Sequence, residues 1–143
     1  MTVKQISVFI ENKPGCLADI ADVLYRSQID MRALSIAESR DFGILRIIVD
    51  DSYKTACVLR DAGYIFSITP VLAVAIPDEA GSLLNILNIL RDHSINLEYT
   101  YAFITRKKDL AYMILRVEDN EKASEILTKN NITLISQDDL CEI

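Results

Sequence analysis

Two short stretches carry the residue types best suited to chemistry, and in both a glycine stands where an alternating apolar pattern gives way to a helical one. The first is Asn12, Lys13, Pro14, Gly15, Cys16 and Leu17; the second is Asp78, Glu79, Ala80, Gly81, Ser82 and Leu83. Proline is favoured at the first position of a helix, and glycine lets backbone or ligand approach with no Cβ in the way. The unpaired N–H groups of a helix start, backed by the positive end of its dipole, form a site suited to a carboxylate. Asp78 and Glu79 add negative charge at the second elbow, where they attract an ammonium group or a donor-bearing side chain. Asn12 and Asp78 are also preferred helix-capping residues, and at least one of them is expected to cap. Cys16, just inside a helix start, is placed for a lowered thiol pKa. With no His or second Cys nearby in sequence, the expected role is that of a small packing residue.

Little else in the chain points to catalysis. His93 is the only histidine and falls near a predicted helix end, where a cation is mildly favourable, with no cluster of candidate ligands around it. No metal site is expected. An active site needs a nucleophile with a base, paired carboxylates in a cleft, or metal ligands. The sequence has no P-loop, no GxGxxG and no Cys/His cluster, so neither an enzyme nor a bound cofactor is predicted. A formal net charge of −6 argues against nucleic acid, whose binding draws on clustered Lys and Arg. Arg106-Lys107-Lys108, the only basic run, reads as a solvated hairpin tip. Cys16, Cys57 and Cys141 are odd in number and lack a CxxC pairing, as suits free thiols in a reducing cytoplasm. The start lacks the pattern of a signal peptide. No apolar run approaches the roughly 18 residues of a membrane span, and the longest, Val71 to Ile76, is strand-sized.

The elements that must position the elbows follow from periodicity. Ile6, Val8 and Ile10 alternate as on a half-buried strand, and Leu17, Ile20, Ala21 and Leu24 then recur at helical spacing. Residues 31–37 and 44–49 read as strands joined by a hairpin over 38–43. Residues 55–62 read as a helix ended by Gly63, and 64–68 as a closing strand. The same order repeats as strand 71–76, a helix to about His93, strands 95–105 and 110–118, helix 120–129 and strand 132–136. Aligning Gly15 with Gly81 brings Leu17 onto Leu83, Ile20 onto Ile86, Leu24 onto Leu90 and Ile29 onto Ile95, a constant offset of 66. The repeat predicts two domains, 1–69 and 70–143. The order βαββαβ implies right-handed crossovers and an antiparallel four-stranded sheet with both helices on one face. The predicted fold class is therefore α+β, with two ferredoxin-like domains in a fixed relation. Tyr99, Tyr101 and Phe103 recur at spacing two and are expected to share one face of a strand.

The run from Ile6 through the Asn12-Lys13-Pro14-Gly15-Cys16-Leu17 elbow to Leu24, followed by Gln28-Ile29-Asp30-Met31, resembles the ACT domain. That family is an amino-acid-sensing module whose elbow typically reads Asp/Asn-x-Pro-Gly-x-Leu. Val74 to Leu83 with Ser94-Ile95-Asn96-Leu97 resembles a second copy in which Ala80 replaces proline. The resemblance implies paired domains side by side, with an amino acid at their junction where the elbow of one meets the second-strand start of the other. It assigns Asn12 to Leu17 to one pocket with Asn96 and Leu97, and Asp78 to Leu83 to a reciprocal pocket with Asp30 and Met31. Asp30 departs from the asparagine usual in the family. It further implies a non-enzymatic sensor that signals to a separate enzyme or transporter of amino-acid metabolism, and the open sheet face and apolar edge strands of such domains predict at least a homodimer. The alternative is an assembly scaffold that has kept the fold and lost the ligand. An RNA-recognition fold shares the element order but needs central aromatics and a basic surface; a copper chaperone would need CxxC. From the acids at the second elbow, ligands with imidazole, ammonium or amide side chains are ranked above aspartate and glutamate.

Overall fold

Ile6, Val8 and Ile10 lie along one side of the first strand, β1 (Val3–Glu11), and decide which face of its sheet is covered. β1 pairs antiparallel with β3 (Phe42–Val49), in a register that sets Ile6 opposite Ile47, Val8 opposite Leu45 and Ile10 opposite Gly43. On the far side of β3 lies β2 (Met31–Glu38), with Ile36 opposite Leu45, Glu38 opposite Gly43, and a bulge between Met31 and Ala33. The start of β4 (Phe66–Pro77) completes the order β2-β3-β1-β4. Two helices, α1 (Cys16–Arg26) and α2 (Ser52–Asp61), bring Ile20, Leu24 and Leu59 onto the face made by Ile6, Val8, Leu45, Ile47 and Val49. Each such side chain, fully removed from water, contributes about 1.5–3 kcal/mol.

The computed structural model describes residues Met1–Ile143, which form two compact units, Lys4–Thr69 and Pro70–Ile143 with Met1–Val3. In the second unit β4 lies between β6 (Leu110–Val117) and β7 (Thr133–Leu134), and β5 (Leu97–Ala102) lies outside β6. Helices α3 (Ser82–Asp92) and α4 (Asn120–Lys129) supply Ile86, Leu90, Ala123 and Leu127 to a core with Leu72, Val74, Ile76, Leu115 and Val117. The fold is α+β, the ferredoxin-like βαββαβ arrangement occurring twice, as the order of periodicities predicts.

The boundaries differ from the sequence reading in several places, each with a local cause. β4 runs unbroken from Phe66 to Pro77, so the strands read as 64–68 and 71–76 are one. α2 starts ahead of Thr55 because the Asp51 carboxylate accepts from the Lys54 amide at 2.9 Å and caps it at Ser52. Gly63 does follow α2 in the left-handed region, with φ 82°, and the Tyr64 amide reaches back to the Leu59 carbonyl. β7 is only two residues long and is followed by a 3-10 turn, Asp138–Glu142, that periodicity does not announce. Arg106, Lys107 and Lys108 are exposed in the loop between β5 and β6.

Candidate functional site

The first elbow is built on Gly15, which has φ 87° and ψ −16° and is itself the N-cap of α1. Left-handed backbone of this kind is open to glycine at no steric cost. The Asp19 amide returns to the Gly15 carbonyl at 2.9 Å, so the helix ladder begins there and the amides of Leu17 and Ala18 are left with no carbonyl in the helix. No side chain caps α1. The expectation that Asn12 or Asp78 caps is therefore corrected: Gly15 and Gly81 hold those positions, whereas Asp51 and Asp119 cap α2 and α4. Asn12 is occupied elsewhere. Its side-chain amide donates to the Ser39 carbonyl at 2.9 Å and its backbone amide to Asp41 at 3.0 Å, which ties the elbow to the β2–β3 turn.

Beneath that helix start the sheet has a gap. Gly43 is buried in β3, opposite Ile10 on one side and Glu38 on the other. A Cβ placed there would meet Ile36 Cγ2 at 3.6 Å and Ile10 Cγ1 at 3.7 Å. Its absence leaves a cavity of about 190 Å³ whose other walls include Asn12, Lys13, Cys16 and Leu17. Pro14 and Gly15 turn the chain above this cavity but do not line it. Ile10, Glu11, Ile36, Glu38 and Gly43 are the lining residues that sequence reasoning misses. The one available signal was a glycine inside an otherwise apolar strand, which often marks a close approach of ligand or backbone.

The rim carries both signs of charge. Lys13 Nζ lies 2.8 Å from Glu11 Oε2, and both side chains are largely exposed. The hydrogen bond to Lys13 holds the Glu11 carboxyl below its usual range and, from the other side, holds the Lys13 ammonium above its own. Glu38 adds a second carboxylate. The set comprises unpaired helix-start amides and an ammonium for an anion, and carboxylates for a cation. Such a set is complementary to a zwitterion. Tyr64 packs against the core below, and burial, followed by the neighbouring Asp19, raises its hydroxyl pKa.

The second elbow repeats the backbone but not the gap. Gly81 has φ 92° and ψ −11°, and the Asn85 amide returns to its carbonyl at 3.0 Å. Opposite Ile76, where the first unit has Gly43 opposite Ile10, stands Ala111. Asp78 and Glu79 are exposed, as are Ala80 and Gly81, while Ser82 and Leu83 are half-buried. The strand starts lie elsewhere. Because β1 and β2 both pair antiparallel with β3, Asp30 and Met31 sit about 20 Å from the Asn12 elbow, at the other end of the first unit. Asn96 and Leu97 are likewise at the opposite end of the second unit from Asp78 to Leu83. Asp30 is no bare charge: its carboxylate accepts from Arg32 Nη1 at 3.0 Å, and its amide donates to Asp50 Oδ1 at 3.1 Å. Within one unit, then, an elbow and a strand start do not meet.

The remaining candidates resolve into structural roles. Cys16 is a half-buried free thiol on the cavity wall. His93 ends α3 and donates from Nδ1 to the Ile89 carbonyl at 2.8 Å. Tyr99 and Tyr101 share a sheet face, with ring centroids 6.4 Å apart. No group of three or more His, Cys, Asp or Glu side chains is arranged to hold a metal ion, and no helix is long and apolar enough to cross a membrane.

Two ferredoxin-like modules in tandem, each opened by a left-handed glycine elbow at a helix start, define the architectural class. The chain matches the ACT domain pair family over residues 1–143 and belongs to it. An ACT domain pair is a ligand-binding regulatory module. Protein BT0572 from Bacteroides thetaiotaomicron is 35% identical, with a TM-score of 0.92 over 100% of this chain and 98% of that one. The ligand-free regulatory subunit of aspartate kinase from Thermus thermophilus superposes with a TM-score of 0.63 at 15% identity, over 88% of this chain and 90% of that one. The corresponding subunit from Thermus flavus gives 0.61 at 13% identity over the same shares. These last two show the shared fold. No curated protein matches the chain.

Proposed function

We propose that the chain is a non-enzymatic sensor that binds a free amino acid at the Asn12–Leu17 elbow and passes that state to a separate protein. The observation that carries this reading is the cavity over Gly43, walled by Cys16 and Leu17 at the start of α1 and rimmed by Lys13, Glu11 and Glu38. The ligand carboxylate takes the helix-start amides and Lys13; its ammonium takes Glu11 or Glu38. At about 190 Å³ the cavity is in proportion to the head group of an amino acid and smaller than the 300–1,000 Å³ of drug-sized pockets. The ligand side chain therefore projects beyond the cavity, against a wall supplied by another ACT domain. Asn96 and Leu97 are the strand start that the family resemblance assigns to that wall, and Asp30 and Met31 are its reciprocal.

The regulated partner is a separate enzyme or transporter of amino-acid metabolism. The regulatory subunits of aspartate kinase offer the analogy at the level of fold. Three unpaired thiols suit a cytoplasmic setting. Thermal denaturation with each of the twenty amino acids tests the reading. A ligand present at 100 times its Kd adds about 2.7 kcal/mol, a rise in Tm of roughly 2–8 °C at this size. If none of them moves Tm at millimolar concentration, the chain is a scaffold and not a sensor.

A further inference from the structure

The second unit contains a larger cavity that the elbow reading does not use. It measures about 570 Å³, within the range of small-molecule sites, and lies between the first turn of α3, the ends of β4 and β6, and the 3-10 turn Asp138–Glu142. Of the second elbow only Ser82 reaches it; Asp78 to Gly81 do not line it. Much of the wall is aliphatic, and the polar groups enter from separate segments.

Tyr112 supplies a polar group to the wall of this space. The residue is 3% exposed, its ring packs edge-on against Phe103 with centroids 6.3 Å apart, and its hydroxyl makes no hydrogen bond within the chain although it lines the cavity. That hydroxyl is open to the cavity and free to donate to a guest or accept from one. The Ser82 and Asn85 side chains, on the same wall, also lack a partner within the chain. On the opposite wall the Asp139 carboxylate accepts from the Ser136 amide at 2.9 Å and from the Ser136 hydroxyl, which pins the 3-10 turn in place. Leu140 is fully buried and anchors the same turn. Lys107 lies near Asp139 and offsets its charge, and these bonds hold the Asp139 carboxyl below its usual range. Glu142 has no ion-pair partner, so the lining carries an excess of negative charge.

We infer that this cavity is a second binding site, for a small amine with an apolar body: the body lies on the aliphatic wall, the ammonium faces Glu142, and Tyr112, Ser82 and Asn85 complete its hydrogen bonds. The site is independent of the elbow and does not rest on the sensor reading.

Ligand-detected NMR titration of the full chain tests it with three probes of one shape, benzylamine, benzyl alcohol and benzoate. Saturable benzylamine binding is expected, with benzoate at least roughly tenfold weaker because it meets Glu142 with the wrong sign. Glu142→Gln and Tyr112→Phe should each weaken benzylamine by about tenfold or less, the loss of one hydrogen bond or charge contact. Both changes are close to isosteric, and Tyr112→Phe keeps the contact with Phe103. Gly43→Val, in the other unit, should leave benzylamine binding unchanged. The proposal is overturned if benzylamine does not saturate, which makes the cavity a solvated gap. It is equally overturned if benzoate binds as tightly, if neither Glu142→Gln nor Tyr112→Phe has an effect, or if Gly43→Val abolishes binding.

Discussion

At position 43 a missing side chain does more than any side chain present. Glycine inside a strand is destabilising by roughly 0.5–1 kcal/mol relative to alanine, and Gly43 has no positive φ that would demand it. Gly43→Ala is therefore expected to hold or raise stability in urea denaturation while weakening amino-acid binding. Gly43→Val, filling the cavity between Ile10 and Ile36, is expected to abolish binding with the fold retained. Gly15 behaves differently. At φ 87° a valine there is strained by about 1–3 kcal/mol, although nothing stands within 4 Å of its Cβ position. Loss of binding in Gly15→Val would thus mix strain with obstruction, which makes Gly43 the cleaner probe. Ligand charge is also decided at this scale. Asp30 is paired with Arg32 and cannot steer a ligand by itself, but Glu11 and Glu38 place two carboxylates against one Lys13 on the cavity rim. Calorimetry is accordingly expected to show aspartate and glutamate binding more weakly than lysine, histidine, asparagine or glutamine. The reverse order would refute the charge argument and leave the elbow site standing.

Helix caps separate α2 and α4, each closed by an aspartate side chain, from α1 and α3, each opened by a left-handed glycine. Asp51 and Asp119 accept from the Lys54 and Lys122 amides at 2.9 and 3.0 Å, so Asp51→Ala and Asp119→Ala should each cost about 0.5–2 kcal/mol in chemical denaturation. Asn12→Ala should leave α1 intact and loosen the Ser39–Phe42 turn, because its amide is bound to Ser39 and not to the helix. The 3-10 turn makes a pH prediction. Asp139 has a carboxyl pKa lowered by the Ser136 hydroxyl and amide, so its stabilising effect is complete above the unfolded value of about 3.9 and is lost as pH falls through the lower folded value. Amide-exchange protection at Ser136 and Asp139 should fall across that acid window, and Asp139→Asn should lower it at neutral pH. Helices and long strands were legible from period 3.6 and period 2, and both elbows from their glycines. Gly43 was misread as part of a hairpin because its role comes from the pairings Ile10 to Gly43 and Glu38 to Gly43, long-range facts that no local window contains. The turn after β7 was missed for a related reason: a Ser136–Asp139 clasp and one buried Leu140 specify it, not a repeating pattern.

Across the whole molecule, the first sheet ends on β2, whose outer edge is unpaired and which carries the exposed Leu34 and Ile36. Phe42, 51% exposed, stands at the start of the neighbouring strand. Edges of this kind favour pairing with another chain, and a closed two-fold association is the simplest way to cover one. Light scattering at micromolar concentration is expected to give about twice 16.1 kDa; a value of 16.1 kDa would exclude the dimer. Whether a free amino acid sits at the first elbow is decided by an amide NMR titration of the full chain with the amino acid that raises Tm most. Saturable shifts centred on Leu17, Ala18 and Gly43 are expected, with their loss in Gly43→Val. Saturable shifts that leave these three amides unmoved would contradict binding there.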